Sequence, residues 1–235
     1  MTPVNIPAAT ASRLTSLEAL LFDLDGTVVD TIPHILASFR SATSEVFGTP
    51  LPDDTLLGHI GIPLAQQMRM FTDDEETAER LIAAYRRVNH ATHDEMARVF
   101  PNTLSTLEAL VAVGMPMAIV TSKGRAMTDR AFDLFGLDRF FVVSVTADDT
   151  PLHKPDPMPV LHAASLLGVD PSRCAYVGDH PADIAAGKGA GAVSVAASWG
   201  VASRERLLAA GPDLLIDDIA EVRDLVGTIP PGRTQ

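Results

Sequence analysis

Apolar positions along this chain fall into two alternating kinds of segment. Short, largely apolar runs at 17–22, 116–120 (PMAIV), 140–145 (FFVVSV), 174–178 (CAYVG), 192–196 (AVSVA) and 213–216 (DLLI) read as buried strands. Between them, apolar residues recur at helical spacing in NTLSTLEALVAVG (102–114), RAMTDRAFDLFG (125–136), DPMPVLHAASLLG (156–168), a segment reaching about Gly189, SRERLLAAG (203–211) and a last stretch from about Asp218. Gly114, Gly136 and Gly168 supply helix stops, and Asp156 with Pro157 supplies a helix start.

Strands alternating with helices predict an α/β fold, a doubly wound, Rossmann-like parallel sheet covered on both faces. The first strand waits until about residue 98 for its successor. The intervening stretch carries only helical signals, from IPHILASFRSATSEVFG to DDEETAERLIAAYRRVNHATHDEM. The expected organisation is a core formed by 1–30 and 96–235, interrupted by an all-helical domain at 31–95, with hinges near 28–33 and 96–101. Residues 1–15 and 228–235 read as loose tails. No strand is expected within 31–98, and no internal repeat is visible.

Composition narrows the partners. The formal net charge of −12 argues against nucleic acid and against anionic membranes, both of which need broad positive surface. No apolar run reaches the roughly 18 residues of a membrane span. The first residues lack a charged start and an apolar stretch, so a cytoplasmic location is expected. The single cysteine, Cys174, lies in an apolar strand and reads as a structural thiol. Lysine occurs only at 123, 154 and 188, which makes each position informative.

In a doubly wound sheet, ligands bind beyond the carboxyl ends of the strands. Asp23, Asp25 and Thr27 follow the first strand, and Thr121, Ser122 and Lys123 follow the second. Lys154 follows the third, and Asp179 and Asp183 follow the fourth. Carboxylates, hydroxyls and a lysine gathered on one rim fit phosphoryl transfer to an aspartate. A carboxylate nucleophile divides hydrolysis into two displacements. A second carboxylate two residues on can protonate the leaving oxygen and then deprotonate water. Asp23, a backbone carbonyl near Asp25, and Asp179 suit Mg2+, which takes oxygen ligands. Thr121 and Lys154, with Ser122 beside them, can hold the phosphoryl oxygens, and Gly26 permits a tight turn.

DLDGT at 23–27, the T-S-K step at 121–123, HKPDP at 153–157 and GDHPAD at 178–183 resemble the four motifs of the haloacid dehalogenase superfamily. The resemblance spans about residues 17–226, and the helical insert is similar to the cap of the subgroup containing phosphoglycolate phosphatases, β-phosphoglucomutase, phosphonoacetaldehyde hydrolase and 2-haloacid dehalogenases. It implies Asp23 as nucleophile and Asp25 as acid/base. It also implies Thr121, Ser122 and Lys154 on the phosphate, Asp23, the Asp25 carbonyl and Asp179 on magnesium, and Asp183 and Thr27 behind them. Asp25 disfavours dehalogenation. The absence of lysine from 31–98 sets aside a Schiff-base hydrolase, and Gly61 stands where a mutase would carry an arginine. YRRVNHATHDEM followed by VFPN resembles phosphoglycolate phosphatases and related bacterial pyrophosphatases. The expected substrate is a small phosphate monoester, 2-phosphoglycolate first and inorganic pyrophosphate second, handled by a monomer or homodimer.

Rival readings are a receiver-like switch phosphorylated on aspartate and a catalytically silent phosphate-binding module. The length and the cap-like insert oppose the first, and the intact polar set opposes the second. His90 and His93 read as an exposed or packing pair rather than a metal pair, and GKGAG at 187–191 as a helix-to-strand turn. DDEE at 73–76 reads as a solvated helix start, and His180 as a loop residue bordering the site. Of the insert's arginines, Arg40, Arg69, Arg80, Arg86 and Arg87, and its His34 and His59, the sequence does not say which meets a substrate.

Overall fold

In a computed structural model, which describes residues 8–226, the chain opens with helix α1 (Ala8–Leu14) and strand β1 (Ala19–Phe22). The expected loose start is therefore corrected over residues 8–14. Leu14 and Leu17 are buried in the main core, and Arg13 donates to the Gly191 carbonyl at 2.7 Å, so the segment has partners that hold it. The tail expected at 228–235 lies outside the described residues.

After a tight turn come β2 (Val29–Asp30), four helices, and β3 (Arg98–Val99). The helices are α2 (Ile32–Phe47), α3 (Asp53–Leu57), α4 (Leu64–Arg69) and α5 (Glu75–Met96). They bury a cluster of their own that includes Ile35, Phe39, Leu56, Met68, Leu81 and Tyr85. α5 starts where the acidic run predicts: Asp74 accepts from the Thr77 amide at 2.8 Å, and Glu75 and Glu76 occupy the first turn. β2 and β3 pair antiparallel, Val29 with Val99 and Asp30 with Arg98. This ribbon lies at the two edges of the insert and touches the expected strand-free stretch only at Arg98; between the two strands the regular elements are helices, as expected. Two residues a side are too few to print a period in the sequence. The far end of α5 is tied down by Arg130, which grips Asp94 through two bonds of 2.8 and 3.0 Å and donates to the His90 carbonyl at 2.6 Å.

The remaining chain alternates as the apolar pattern predicts: α6 (Thr103–Ala112), β4 (Met117–Val120), α7 (Arg125–Phe135), β5 (Val143–Val145), α8 (Met158–Leu167), β6 (Cys174–Gly178), α9 (Pro181–Gly189), β7 (Val193–Ala197), α10 (Arg204–Ala209), β8 (Leu214–Ile216) and α11 (Val222–Val226). The six-stranded sheet runs β5-β4-β1-β6-β7-β8, and every pairing in it is parallel. Leu20 and Phe22 face one apolar layer, while Ala19 and Leu21 face the other. Burial on both faces explains why these strands read as largely apolar runs, each fully buried aliphatic side chain contributing about 1.5–3 kcal/mol. FFVVSV forms a strand only over its last three residues. Phe140 and Phe141 follow a 3-10 turn at Leu137–Arg139, and Phe141 packs edge-on to Phe22 with centroids 6.0 Å apart. Cys174 is buried in β6 as expected.

The chain leaves β1 for β4 and β5 on one side and later fills β6, β7 and β8 on the other. The switch point is therefore at the carboxyl ends of β1, β4 and β6, where a ligand crevice belongs.

A buried pair in the insert sets a pH limit on the fold. His34 is fully buried, with Nε2 3.0 Å from the Asn89 carbonyl, and its ring lies edge-on to that of His93. Burial, the Lys123 charge and His93 push His34 down to about 4 from an ordinary 6.5, against the weaker opposing effects of the Asn89 carbonyl and Asp25. A histidine depressed in the fold contributes stability that is present above 6.5 and is lost as pH falls from 6.5 toward 4. Unfolding free energies from urea titrations across that window should fall further for the wild type than for His34→Gln, by at most about 3 kcal/mol. Parallel curves for the two proteins would refute this.

Candidate active site

β1 delivers two carboxylates in different directions. Asp23 continues the strand, its amide donating to the Val177 carbonyl at 2.9 Å, and its side chain is 4% exposed. One Asp23 oxygen accepts from the Leu24 amide at 2.7 Å, and the other lies 3.0 Å from Lys154 Nζ. The chain then turns at Gly26, φ +81°, where a Cβ would sit 2.2 Å from an Asp179 oxygen. Only glycine meets both demands. Asp25 points elsewhere: both its oxygens accept from Lys123 Nζ, at 2.8 and 2.9 Å, and one also accepts from the Thr31 hydroxyl at 2.5 Å.

The other strand ends complete the set. Lys154, 2% exposed, reaches from the loop after β5 to Asp183 at 2.6 Å as well as to Asp23. Asp183 also accepts from the Tyr176 hydroxyl at 3.0 Å and the His180 amide at 3.0 Å. Asp179 accepts from Thr27 Oγ1 at 3.2 Å and from the Val201 amide at 2.7 Å. Trp199 ties that last loop to the β1 turn by donating to the Thr27 carbonyl at 3.0 Å. Thr121 and Ser122 stand at the end of β4, and Ser122 Oγ is buried without a hydrogen-bond partner among the described residues. Asp23, Asp25, Thr27, Thr121, Ser122, Lys154, Asp179 and Asp183 thus stand together on this rim.

Two residues carry more than the sequence assigned them. Lys123 holds Asp25, a role signalled beforehand only by the scarcity of lysine. His180 is the N-cap of α9 rather than a plain loop residue, its Nδ1 accepting from the Ala182 amide at 3.1 Å. His180 also faces Gly61, where φ is +107° and a Cβ would lie 3.0 Å from the imidazole ring, so an arginine would not fit there without displacing it. His93 is buried within the insert against His34 and His90 is exposed, and among the described residues neither belongs to a cluster of three candidate metal ligands.

Charge in the crevice is unbalanced. Burial lifts Asp23 to about 7; Lys154 opposes this, while Asp183 and Asp25 add to it. Burial, Asp183 and Asp23 likewise raise Asp179 well above the carboxylate range. Burial would raise Asp25 too, but Lys123 and the Thr31 hydroxyl outweigh it and hold Asp25 low. Oxygens of Asp23, Asp179 and Asp183 lie within 4.8 Å of one another. Buried carboxylates with one lysine among them fit a hard divalent cation. A cavity of about 490 Å³ opens over this cluster, floored by Asp23, Asp25 and Thr121 and roofed by residues of the insert such as Ile60, Leu64 and Arg86.

A doubly wound sheet with a carboxylate, hydroxyl and lysine rim, roofed by inserted helices, defines a class of α/β hydrolases. The chain belongs to the haloacid dehalogenase-like hydrolase family, whose model matches residues 20–197. It is 34% identical over 209 residues to the pyrophosphatase PpaX of Bacillus velezensis, covering 89% of this chain and 96% of that one. It is also 34% identical over 206 residues to PpaX of Bacillus cereus, covering 88% and 94%. A crystal structure of a predicted phosphoglycolate phosphatase from Haemophilus somnus superposes with a TM-score of 0.83 at 25% identity, over 89% of this chain and 98% of that one. Among the described residues no helix is long and apolar enough to cross a membrane.

Proposed function

We propose that this protein is a magnesium-dependent phosphatase that hydrolyses a small phosphate monoester through a phosphorylated Asp23. The observation supporting this most strongly is the division of the β1 carboxylates. Asp23 sits among Lys154, Asp179 and Asp183, whereas Asp25 is held apart on Lys123 and Thr31. In the first step an Asp23 oxygen attacks phosphorus, the ester bond breaks, and the leaving oxygen takes a proton from Asp25. In the second step water attacks the same phosphorus, gives its proton to Asp25, and frees Asp23 and inorganic phosphate. Lys154, Thr121 and Ser122 hold the phosphoryl oxygens, where charge must be stabilised in the transition state. Asp25 must carry a proton for the first step, so it has to leave Lys123 when substrate arrives.

Asp23, the Asp25 carbonyl and Asp179 would hold the magnesium ion, with Asp183 and Thr27 behind them. When bound, the ion offsets the repulsion between an anionic nucleophile and an anionic phosphate. Residues 31–95 act as a cap over a core of 1–30 and 96–235, excluding water while Asp23 reacts. Phosphoglycolate is the first candidate substrate. Inorganic pyrophosphate is the second reading, favoured by the likeness to the PpaX pyrophosphatases. The test is phosphate release from phosphoglycolate, pyrophosphate, sugar phosphates and nucleoside monophosphates, with magnesium and with excess chelator. Release that depends on magnesium is expected. Turnover that survives exhaustive chelation would remove the metal from the reading.

A further inference from the structure

The roof of the cavity carries one cation free to meet a substrate. Among the described residues, Arg40 pairs with Asp53, Arg69 with Glu75 and Glu79, and Arg87 with Glu45. Arg80 does not line the cavity, while Arg86 does and has no carboxylate partner among the described ion pairs. Arg86 projects from the same face of α5 as Tyr85, Asn89 and His90. Desolvation and the neighbouring Arg130 and Arg86 lower His90 below its ordinary value, so it is a weaker cation than Arg86. Lys123 lies on the floor, on the phosphoryl side of the cavity, where it pairs with Asp25 in this structure, so Arg86 is the cation that faces the leaving group from the roof.

Most of the remaining roof is apolar, with Ile35, Ile60, Ile62 and Leu64, and the amides of Gln67 and Asn89 are spent on the Ile62 carbonyl and on Ser38 and Tyr85. Such a wall favours hydrocarbon and penalises an anion that it cannot hydrogen-bond. One guanidinium matches one carboxylate through two parallel bonds. A departing phosphate group would bring more charge and no carbon to cover.

We propose that Arg86 is the specificity-determining residue of the cavity, binding a carboxylate borne on an aliphatic leaving group, so that phosphorylated hydroxy acids are preferred to inorganic pyrophosphate. The inference rests on the phosphatase reading and narrows its substrate class.

The test compares kcat/KM of the full chain with magnesium on four probes: phosphoglycolate, ethyl phosphate, pyrophosphate and p-nitrophenyl phosphate. Ethyl phosphate has the same two-carbon body without the carboxylate. A charged hydrogen bond of about 1.5–3 kcal/mol gives the wild type a roughly 10- to 100-fold preference for phosphoglycolate over ethyl phosphate. Arg86→Gln should erase that preference, chiefly through KM, and leave ethyl and p-nitrophenyl phosphate nearly unchanged. Arg86→Lys should restore part of it, and Arg80→Gln should match the wild type. Equal losses on all probes in Arg86→Gln, a preference retained in that variant, or pyrophosphate as the best wild-type substrate would each overturn the assignment. Wild-type release of phosphate from none of the four would overturn the phosphatase reading itself, and this one with it.

Discussion

An Asp23→Asn protein is expected to fold normally and to turn over no phosphate ester. An amide oxygen is a poor nucleophile and cannot form the acyl-phosphate, so the loss in kcat should be on the order of a millionfold, as when a covalent nucleophile is deleted elsewhere. The fold should not suffer. Asp23 ionises with difficulty, near pH 7, because it is buried beside other carboxylates. A raised carboxyl value means that the ionised form weakens the fold as pH climbs through 7, and asparagine removes that weakness. Melting in metal-free buffer at pH 8 should therefore be unchanged or higher. Asp25→Asn in the same assay should impair esters of poor leaving groups far more than p-nitrophenyl phosphate, whose phenolate needs no proton. Residual Asp23→Asn activity within tenfold of the wild type would sink the nucleophile assignment.

Lys154→Met should be the costliest single change to the fold at this site. The Lys154 ammonium lies 3.0 Å from Asp23 and 2.6 Å from Asp183, and these side chains are almost wholly removed from water. Taking away one partner of a buried ion pair leaves charge with nothing to offset it, a loss of about 3–5 kcal/mol. For a chain of this size that is a fall in Tm of roughly 10 °C. Magnesium should recover part of the loss, since a cation bound only by the folded chain stabilises it by mass action. Turnover should also drop, by about 3 kcal/mol of transition-state stabilisation. A variant that melts with the wild type in metal-free buffer would contradict this.

The sheet was legible because its strands are covered on both faces, so that ALLF, MAIV and CAYVG appear as unbroken apolar runs. The site was legible for a related reason: each strand ends in residues that no apolar core would keep. Three features were hidden. The β2–β3 ribbon is too short to show a period. α1 is held by Arg13 reaching Gly191, a partner distant in sequence. The hold of Lys123 on Asp25 spans 98 positions, and nothing local announces it. The arginines of the insert were equally silent, because their pairing depends on how α2 and α5 lie together.

The short ribbon of Val29–Asp30 and Arg98–Val99 has a mechanical consequence. Both strands that carry the insert pass side by side and are bonded to each other. Two separated tethers would let the helices slide or twist, whereas two joined ones act as the spine of a single leaf. Motion of that leaf is then a swing about one line, and its free edge is the turn at Gly61 resting on His180. A reactant should enter and a product should leave past Gly61 and Val201, the side that parts first, while Thr31 beside the spine barely moves and stays next to Asp25.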